Sequence, residues 1–298
     1  MAENVNLDLA EYNAFGPWAY EISDKYPVPR LFVPYFESND DAIMKIKIPR
    51  EIERRNANPG MDLYDYVIAL YEDRLRVLER QDSQVKEHVI TSQDFMGVRI
   101  YENILKGGYT IFSSEGTVSF PFNGVSIDLF QKFTDLVFEK LRSGKQYGKT
   151  YDTAGFPVTE TAPEAVFLIN KLHDIQIKNP DVRLGAVQKS VDAHRKGSTQ
   201  DMIERMLWKE MNPEALHLYT EQDLIVLENG LFPNRVGMED FGYTQTIIPL
   251  NRISGVEVIS SPEYSLMEEC IISMGPNKVV YHFDIDNEEV AAFYNAFK

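Results

Sequence analysis

One stretch of this chain occurs twice, and this repeat constrains the fold more than any other feature. Residues 65–80 read DYVIALYEDRLRVLER, and residues 216–229 read LHLYTEQDLIVLEN. Both alternate apolar and polar side chains around a short polar break, a period of two that is typical of a β-hairpin. Leu224 aligns with Leu75 if one residue is inserted at the second turn, where a change of length disturbs the register least. The chain is therefore predicted to contain two copies of one small domain.

The sequence that follows each hairpin extends the repeat. Residues 88–100 (HVITSQDFMGVRI) align with residues 246–258 (TIIPLNRISGVEV), and this alignment places Gly255 opposite Gly97. In both copies, two further alternating segments then flank a turn, which predicts a strand, a turn and a strand. Each copy is thus predicted to remain β-structured beyond its first hairpin.

Each copy ends in a segment whose apolar residues have helical spacing. Ser126 is predicted to cap the start of the first helix, and Gly144 is predicted to end it. Asp286 with Glu289 predicts a capping box at the start of the second helix. Phe133 lies on the apolar face of the first helix and is expected to fill the core.

The repeat divides the chain into four parts. The first copy spans residues 61–143, and the second spans residues 213–298. Residues 1–60 form an N-terminal arm, and residues 144–212 form a connector. A chain of 298 residues is long enough for about two domains of ordinary size.

The arm is rich in proline and in aromatic residues. Because proline interrupts helices and central strands, no long helix is predicted there. The aromatic side chains require burial, which predicts an extended arm packed on a domain surface. A short strand is expected immediately before Pro49.

The connector has two segments with helical spacing. The first is predicted to have Pro163 in its first turn, where proline is tolerated. The second is predicted to start at Ser198 and to turn Met202 and Met206 inward. Residues 183–197 lie between them and are polar, which predicts a loop. Both helices are expected to pack on the two copies, because a two-helix unit of this size has too small a core of its own.

Composition limits the class of protein. The net charge of −16 repels nucleic acid and anionic lipid, so neither is an expected partner. No apolar run approaches the roughly 20 residues of a membrane helix, and the first residues lack the pattern of a secretion signal. The single cysteine, Cys270, lies in an apolar segment and is predicted to be a buried thiol. These features predict a cytoplasmic protein.

The quoted segments resemble a known family. ALYEDRLRVLE (69–79) and LYTEQDLIVLE (218–228) are similar to the hairpin of pleckstrin-homology-like (PH-like) domains, especially those of the bacterial type. IIPLNRISGVEV, with the strands and helix that follow it, is similar to the second half of such a domain. The resemblance covers the two copies and not the arm or the connector. It implies an α+β, mainly β fold, with two seven-stranded sandwiches or barrels, each capped by its C-terminal helix.

The resemblance also implies a candidate ligand site. Some PH-like domains bind phosphoinositide headgroups through basic residues of the first hairpin, and Arg74, Arg76 and Arg80 are the match in this chain. The second copy has Asp223 and Ile225 instead of the first two. Arg74 and Arg76 share one strand face and could chelate a phosphate. The alternative is a solvated strand face whose arginines pair with neighbouring carboxylates.

Other motifs do not complete a chemical site. Residues 143–150 (SGKQYGKT) lack the first glycine of a phosphate-binding loop and follow a helix rather than a strand. Residues 284–289 (DIDNEE) begin like a calcium loop but are not followed by its later glycine and glutamate. The five histidines lack zinc-ligand spacing, and the basic residues 195–197 lack interleaved aromatic residues. No catalytic, cofactor-binding or metal-binding residue is predicted.

Three functional hypotheses follow. The first is a non-enzymatic, cytoplasmic interaction or scaffold protein that binds a protein partner or a second copy of itself. The second is a membrane-associated module that binds phosphoinositide or another anionic ligand through Arg74 and Arg76. The third is an enzyme with a site in the cleft between the two copies.

Overall fold

A computed structural model describes residues 2–37, 39–144, 146–147, 149–197, 210–232, 234–235 and 242–298. The fold is α+β and mainly β, as the resemblance implies. The described residues form four α-helices: α1 Ala2–Ala14, α2 Ile127–Leu141, α3 Val166–Lys178 and α4 Glu288–Asn295.

The strands of the first part of the chain are β1 Tyr20–Glu21, β2 Met44–Pro49, β3 Tyr64–Leu70, β4 Arg74–Gln81, β5 Gln84–Thr91, β6 Phe95–Glu102, β7 Lys106–Ser113 and β8 Gly116–Asn123. Those of the second part are β9 Arg183–Gln188, β10 Val191–Arg195, β11 Glu210–Asn212, β12 Ala215–Tyr219, β13 Asp223–Glu228, β14 Asn234–Arg235, β15 Tyr243–Pro249, β16 Gly255–Ser260, β17 Tyr264–Ser265, β18 Met267–Met274 and β19 Asn277–Asp284. The short strand expected before Pro49 is present as β2.

The two copies have the same order of elements when β2 of the arm is counted with the first copy and β9 of the connector with the second. In the first, β2, β3, β4 and β5 are antiparallel neighbours, β6, β7 and β8 follow, and α2 closes the copy. In the second, β9, β12, β13 and β15 are antiparallel neighbours, β16, β18 and β19 follow, and α4 closes the copy. Four strands, three strands and one helix therefore occur twice. The short strands β14, β11, β10 and β17 form an additional sheet in the second part.

The two repeated hairpins have turns of the same length. Leu70 pairs with Leu75 at the end of β3–β4, and Tyr219 pairs with Leu224 at the end of β12–β13. The predicted one-residue insertion in the second turn is therefore wrong. Three residues separate the strands in each hairpin, and an equivalent backbone hydrogen bond closes each turn. The amide of Tyr71 donates to the carbonyl of Arg74 at 2.8 Å in the first hairpin.

The described chain forms two compact units. Unit one comprises Met1–Phe95, Leu105–Tyr109 and Val118–Gly144, and unit two comprises Met96–Ile104, Thr110–Thr117 and Lys145–Lys298. In sequence, β6 belongs to the first copy, but its residues from Met96 onward lie in unit two. They are hydrogen-bonded there to β15, which belongs to the second copy.

The core of unit one lies under helix α2. Phe130 and Phe133 are fully buried, and both rings contact Tyr109. Ser126 does not cap this helix through its side chain, contrary to the prediction. Its hydroxyl accepts a hydrogen bond from the amide of Ala19 at 3.1 Å, because the arm passes beside the start of the helix.

The arm covers the outer face of the first sheet of unit one. Phe15 and Phe32 are buried in a cluster that includes Val67 of β3 and Leu78 of β4. The expectation of a packed arm is thus met within this unit. The expectation that no long helix occurs in the arm is wrong, because α1 ends at Ala14, before the first proline.

Helix α3 covers the corresponding face in unit two. Leu168 is buried in a cluster that includes Leu216 of β12 and Leu227 of β13, the counterparts of Val67 and Leu78. The helix begins at Val166 and not in a first turn at Pro163. The second predicted connector helix, with Ser198, Met202 and Met206, lies outside the described residues.

The loop predicted for residues 183–197 is wrong. This segment forms strands β9 and β10, and β9 adds to the edge of the sheet by pairing with β12. Ala186 and Val187 are buried despite the polar residues around them. The backbone of β12 has an edge that requires hydrogen-bond partners, and this tertiary requirement overrides the weak local pattern.

The core of unit two lies between its main sheet and the sheet of β16, β18 and β19. Phe293 and Tyr294 of α4 are fully buried there, together with Cys270, as predicted for a buried thiol. The predicted capping box of Asp286 and Glu289 is wrong, because the side chain of Asn287 caps the helix by accepting from the amide of Val290 at 3.0 Å.

Candidate functional site

The structure places Arg74 and Arg76 on one face of β4, as the sequence predicts, next to Tyr71. Arg74 pairs with Asp73 at 2.9 Å, and its guanidinium lies 4.4 Å from the centre of the Tyr71 ring. The Arg74 side chain is 39% exposed. Arg74 is therefore the most accessible of the three predicted site residues.

Arg76 is held by more contacts than Arg74. It pairs with Glu87 at 2.5 Å and donates hydrogen bonds to the Tyr71 hydroxyl and to the carbonyl of Tyr35, both at 3.2 Å. Burial alone would lower the pKa of Arg76, but the hydrogen bonds to Glu87 and Tyr71 raise it. The guanidinium is thus committed to groups of the protein itself.

Arg80 lies apart from the other two. It pairs with Asp65 through two hydrogen bonds, at 2.6 and 2.9 Å. It lies six positions from Arg74 along β4, a distance of about 20 Å. The structure therefore brings together Arg74 and Arg76 and excludes Arg80 from their site.

Asp40 and Lys45, which the sequence did not indicate, complete this region. The Tyr71 hydroxyl donates to Asp40 at 2.7 Å, and Lys45 pairs with the other oxygen of Asp40 at 2.8 Å. Burial and the hydrogen bond to Asp40 raise the pKa of Tyr71 to about 12. We call Asp40, Lys45, Tyr71, Arg74, Arg76 and Glu87 the hairpin network. A bound anion would have to displace the neighbouring carboxylates before it could contact Lys45, Arg74 or Arg76.

Among the residues that the structure describes, the equivalent positions of the second copy have different side chains and contacts. Ile225 is buried beneath helix α3, and the amide of Asp223 donates a hydrogen bond to the Thr220 hydroxyl at 2.9 Å as part of the turn. The hairpin register makes Asp223 and Ile225 the equivalents of Arg74 and Arg76, so the basic pair does not recur at these positions.

Helix α3 exposes an apolar face. Val166, Ile169, His173 and Ile177 recur at spacings of three and four residues, so they share one side of the helix. We call these four residues the α3 stripe. Val166 is 70% exposed, Ile169 is 42% exposed and Ile177 is 67% exposed. The helix therefore has apolar residues both on its buried face and on its solvent face.

A cross-strand row with three polar side chains runs through unit two. His217, Val226, Thr246 and Arg99 lie directly opposite one another on β12, β13, β15 and β6, so their side chains share one face of the sheet. Arg99 donates to the Thr246 hydroxyl at 3.0 Å. Burial lowers the pKa of His217 to about 3, and its Nδ1 lies 2.7 Å from the Tyr294 hydroxyl.

Glu228 lies beside this row at the end of β13. Burial raises the pKa of its carboxyl to about 7, and Arg99 opposes this shift. Neither Glu228 nor Arg99 belongs to a recognisable motif in the sequence. The available signal was strand parity, because Glu228 has the same parity as the buried Leu224 and Val226.

A second polar cluster lies at the outer side of the β18–β19 pair. Glu269 accepts a hydrogen bond from the Ser261 hydroxyl at 2.7 Å and contacts His282 at 3.1 Å. Burial lowers the pKa of His282, although Glu269 opposes the shift. A serine nucleophile needs its base next to the hydroxyl. Here the carboxylate stands between serine and histidine, so the cluster is arranged for structure rather than nucleophilic attack.

The remaining sequence motifs take structural roles where they are described. Glu289 of the DIDNEE segment accepts from the amide of Val187 at 2.8 Å and from the Thr161 hydroxyl at 2.9 Å. The SGKQYGKT segment contains Lys145 and Gly148, which lie outside the described residues. Within the described ranges, no three His, Cys, Asp or Glu side chains are grouped closely enough to hold a metal ion.

Comparison with known proteins identifies no family for this chain. No family model matches the sequence, and no curated protein matches it. Among the helices that the structure describes, none has the length and apolar character required to cross a membrane.

Proposed function

We propose that this protein is a non-enzymatic interaction or scaffold protein built from two PH-like copies, and that it acts by contact with a protein partner. The observation that carries the proposal is the α3 stripe. A surface helix ordinarily has polar residues on its solvent side. On helix α3 that side presents Val166, Ile169 and Ile177, and such apolar surface is typical of protein contacts.

The order of elements supports the PH-like part of the proposal. The resemblance implies seven strands closed by a C-terminal helix, and each copy has four strands, three strands and then a helix. In both copies an additional segment covers the outer face of the first hairpin, the arm over Val67 and helix α3 over Leu216. The connector thus has a second role, because it presents the α3 stripe.

The hairpin network favours a protein partner over an anionic ligand. Arg74, Arg76 and Lys45 each have a carboxylate within 3 Å. A phosphate that entered would lose those attractions and would meet the charge of Asp40 and Glu87. We place the protein in the cytoplasm, on the strength of its single, buried cysteine.

A binding experiment tests the α3 stripe. Proteins that co-purify with the tagged full chain from its native host would be compared with those of an Ile169→Glu variant. The charged side chain is expected to remove the specific partner without unfolding the chain, because Ile169 is 42% exposed. Ile104→Glu is the matched control, since Ile104 is 70% exposed and lies outside α3. Equal recovery of the partner with both variants would contradict the proposal.

A lipid experiment tests the alternative. Vesicles that contain phosphoinositide are expected to bind the chain no better than neutral vesicles at physiological salt. Binding that Arg74→Glu removes would replace the proposed function with the anionic-ligand module.

A further inference from the structure

One strand pairing in unit two joins strands that hold different places in the repeat. Strand β6 begins the three-stranded set of the first copy, and β15 ends the four-stranded set of the second copy. They pair antiparallel over five residues, with Arg99 opposite Thr246 and Val98 opposite Ile247. The chain therefore already contains a pairing between the last strand of a four-stranded set and the first strand of a three-stranded set.

Because the domain is repeated, the chain contains a second pair of strands equivalent to β15 and β6. Strand β5 is the counterpart of β15, and β16 is the counterpart of β6, because residues 88–100 align with residues 246–258. In the part of the chain that the structure describes, β5 is the last strand of its sheet and β16 is the first strand of its own. Each thus has one edge of backbone groups without a strand neighbour there.

Side-chain exposure agrees with open edges. Val89 on β5 is 46% exposed, and Ile259 on β16 is 41% exposed. Glu257 on β16 and Lys86 on β5 are exposed as well. Backbone amides and carbonyls at such an edge are available to another strand.

We propose that a second copy of this chain docks there, with its β5 pairing antiparallel to β16 and repeating the register of β15 with β6. This goes beyond the proposed function, because it concerns a surface other than the α3 stripe and does not depend on it. The proposed partner is therefore a second molecule of the same protein.

The register of the new pair follows from the alignment. Counterparts lie 158 positions apart, since 246 − 88 and 257 − 99 both equal 158. The pair Thr246 and Arg99 therefore becomes His88 and Glu257. The pair Ile247 and Val98 becomes Val89 and Val256. Both new pairs are complementary, because one joins an imidazole to a carboxylate and the other joins two β-branched apolar residues.

Lys86 reinforces the electrostatic match. It shares a strand face with His88, two residues away, so it lies diagonally from Glu257 in this register. Each contact joins two different strands. Two reciprocal contacts between the same two molecules close a two-fold dimer, whereas contacts with different neighbours give rings or open chains of molecules.

Cysteine cross-linking tests the pairing and its register. An equimolar mixture of His88→Cys and Glu257→Cys variants is expected to form a disulfide between the two different chains, because directly opposed strand residues have the required separation. The single native cysteine is buried and does not compete. Lys86→Cys mixed with Glu257→Cys is the control, two residues out of register, and is expected to cross-link far less.

The outcomes of the cross-linking are distinguishable. Equal yields for the two mixtures, or no mixed disulfide, would overturn the proposed register. Circular dichroism of each variant checks the fold, because His88→Cys also removes a contact with Glu79 at 3.4 Å.

Charge reversal tests the same surface without cysteines. Sedimentation of the wild-type chain from micromolar to sub-millimolar concentration is expected to show reversible growth in mass, which Glu257→Lys weakens by about tenfold. Asp286→Lys makes the same charge change outside β16 and is expected to leave the association unchanged, as is Ile169→Glu in the α3 stripe. A wild-type chain that stays monomeric throughout this range would overturn the inference.

Discussion

The Glu214 carboxylate accepts a hydrogen bond from the backbone amide of Ala165 at 2.8 Å, immediately before helix α3. Its second oxygen accepts from the amide of Glu164 at 2.6 Å. The first amides of a helix have no partner within the helix, and the alanine at this cap position has no polar side chain to supply one. Glu214 therefore caps the helix from a distant part of the sequence, and its negative charge suits the helix N-terminus.

Replacing Glu214 by alanine is expected to destabilise unit two by about 1–2 kcal/mol, the usual effect of losing a helix cap. Hydrogen exchange should rise first in the initial turn of α3. Glu164→Gln is the matched control, because the Glu164 side chain makes only an exposed pair with Lys189 and such pairs contribute little. Equal effects of the two variants on the denaturation midpoint would contradict this account.

The hairpins were predictable because their signal is local. The alternation around residues 71–73 and 220–222 was sufficient to predict both strands of each hairpin, although it did not give the length of the second turn. Strand β9 was not predictable, because its pairing with β12 depends on residues about 30 positions away along the chain. The prediction that Ser126 caps helix α2 was wrong for the same reason. The Ser126 hydroxyl accepts a hydrogen bond from the amide of Ala19, which is distant in sequence.

The candidate sites were also predictable only where the signal is local. Strand parity was sufficient to place Arg74 and Arg76 on one face. It could not show that Glu87 and Asp65 neutralise Arg76 and Arg80, because strand pairing brings these carboxylates in from β5 and β3. Arg99 and Glu228 are further apart in sequence, and only the pairing of β6 with β15 brings them into one interior.

Lys47 is expected to make the stability of the packed arm depend on pH. It is 2% exposed, donates to the carbonyl of Pro27 at 2.9 Å and lies 4.7 Å from the centre of the Tyr64 ring. Burial lowers the pKa of its ammonium group to about 8, although Glu11 opposes the shift. A depressed pKa favours the neutral amine in the folded state.

Stability of unit one is therefore expected to rise as the pH increases from about 8 towards the unfolded pKa of about 10.4, and to fall as the pH decreases through 8. Lys47→Met keeps the length of the side chain and should remove this component of the pH dependence. Denaturant titrations of both proteins at several pH values measure it. A rise of the same size in the variant would assign the effect to another group.

Phe133 is expected to be a principal core residue of unit one. It is fully buried, and its ring contacts Tyr109 and Phe130. Phe133→Ala should cost about 3–5 kcal/mol, as expected for emptying a site of this size. Leu136→Ala on the same helix is the control and should cost less, because Leu136 is only half-buried. Chemical denaturation compares them, and a smaller loss at Phe133 than at Leu136 would contradict the assignment of the core.

Glu228 is expected to give unit two an opposite response to pH. Burial raises the pKa of its carboxyl from 4.5 to about 7, so the folded state favours the protonated form. A raised pKa contributes stability that is complete below the unfolded value and is lost as the pH rises through the folded value. The loss should therefore run from about pH 4.5 to about pH 7 and amount to a few kcal/mol.

Glu228→Gln isolates this contribution, because the amide resembles the protonated carboxyl and does not titrate. The variant should match the wild type near pH 4.5 and exceed its stability above pH 7. Arg99→Met provides a second comparison. Without the guanidinium that stabilises the carboxylate, the pKa of Glu228 should rise further and the loss of stability should become larger. Unfolding curves of the three proteins between pH 4.5 and pH 8 measure both effects. Parallel curves for the wild type and Glu228→Gln would show that the carboxyl titrates alike in the folded and unfolded states.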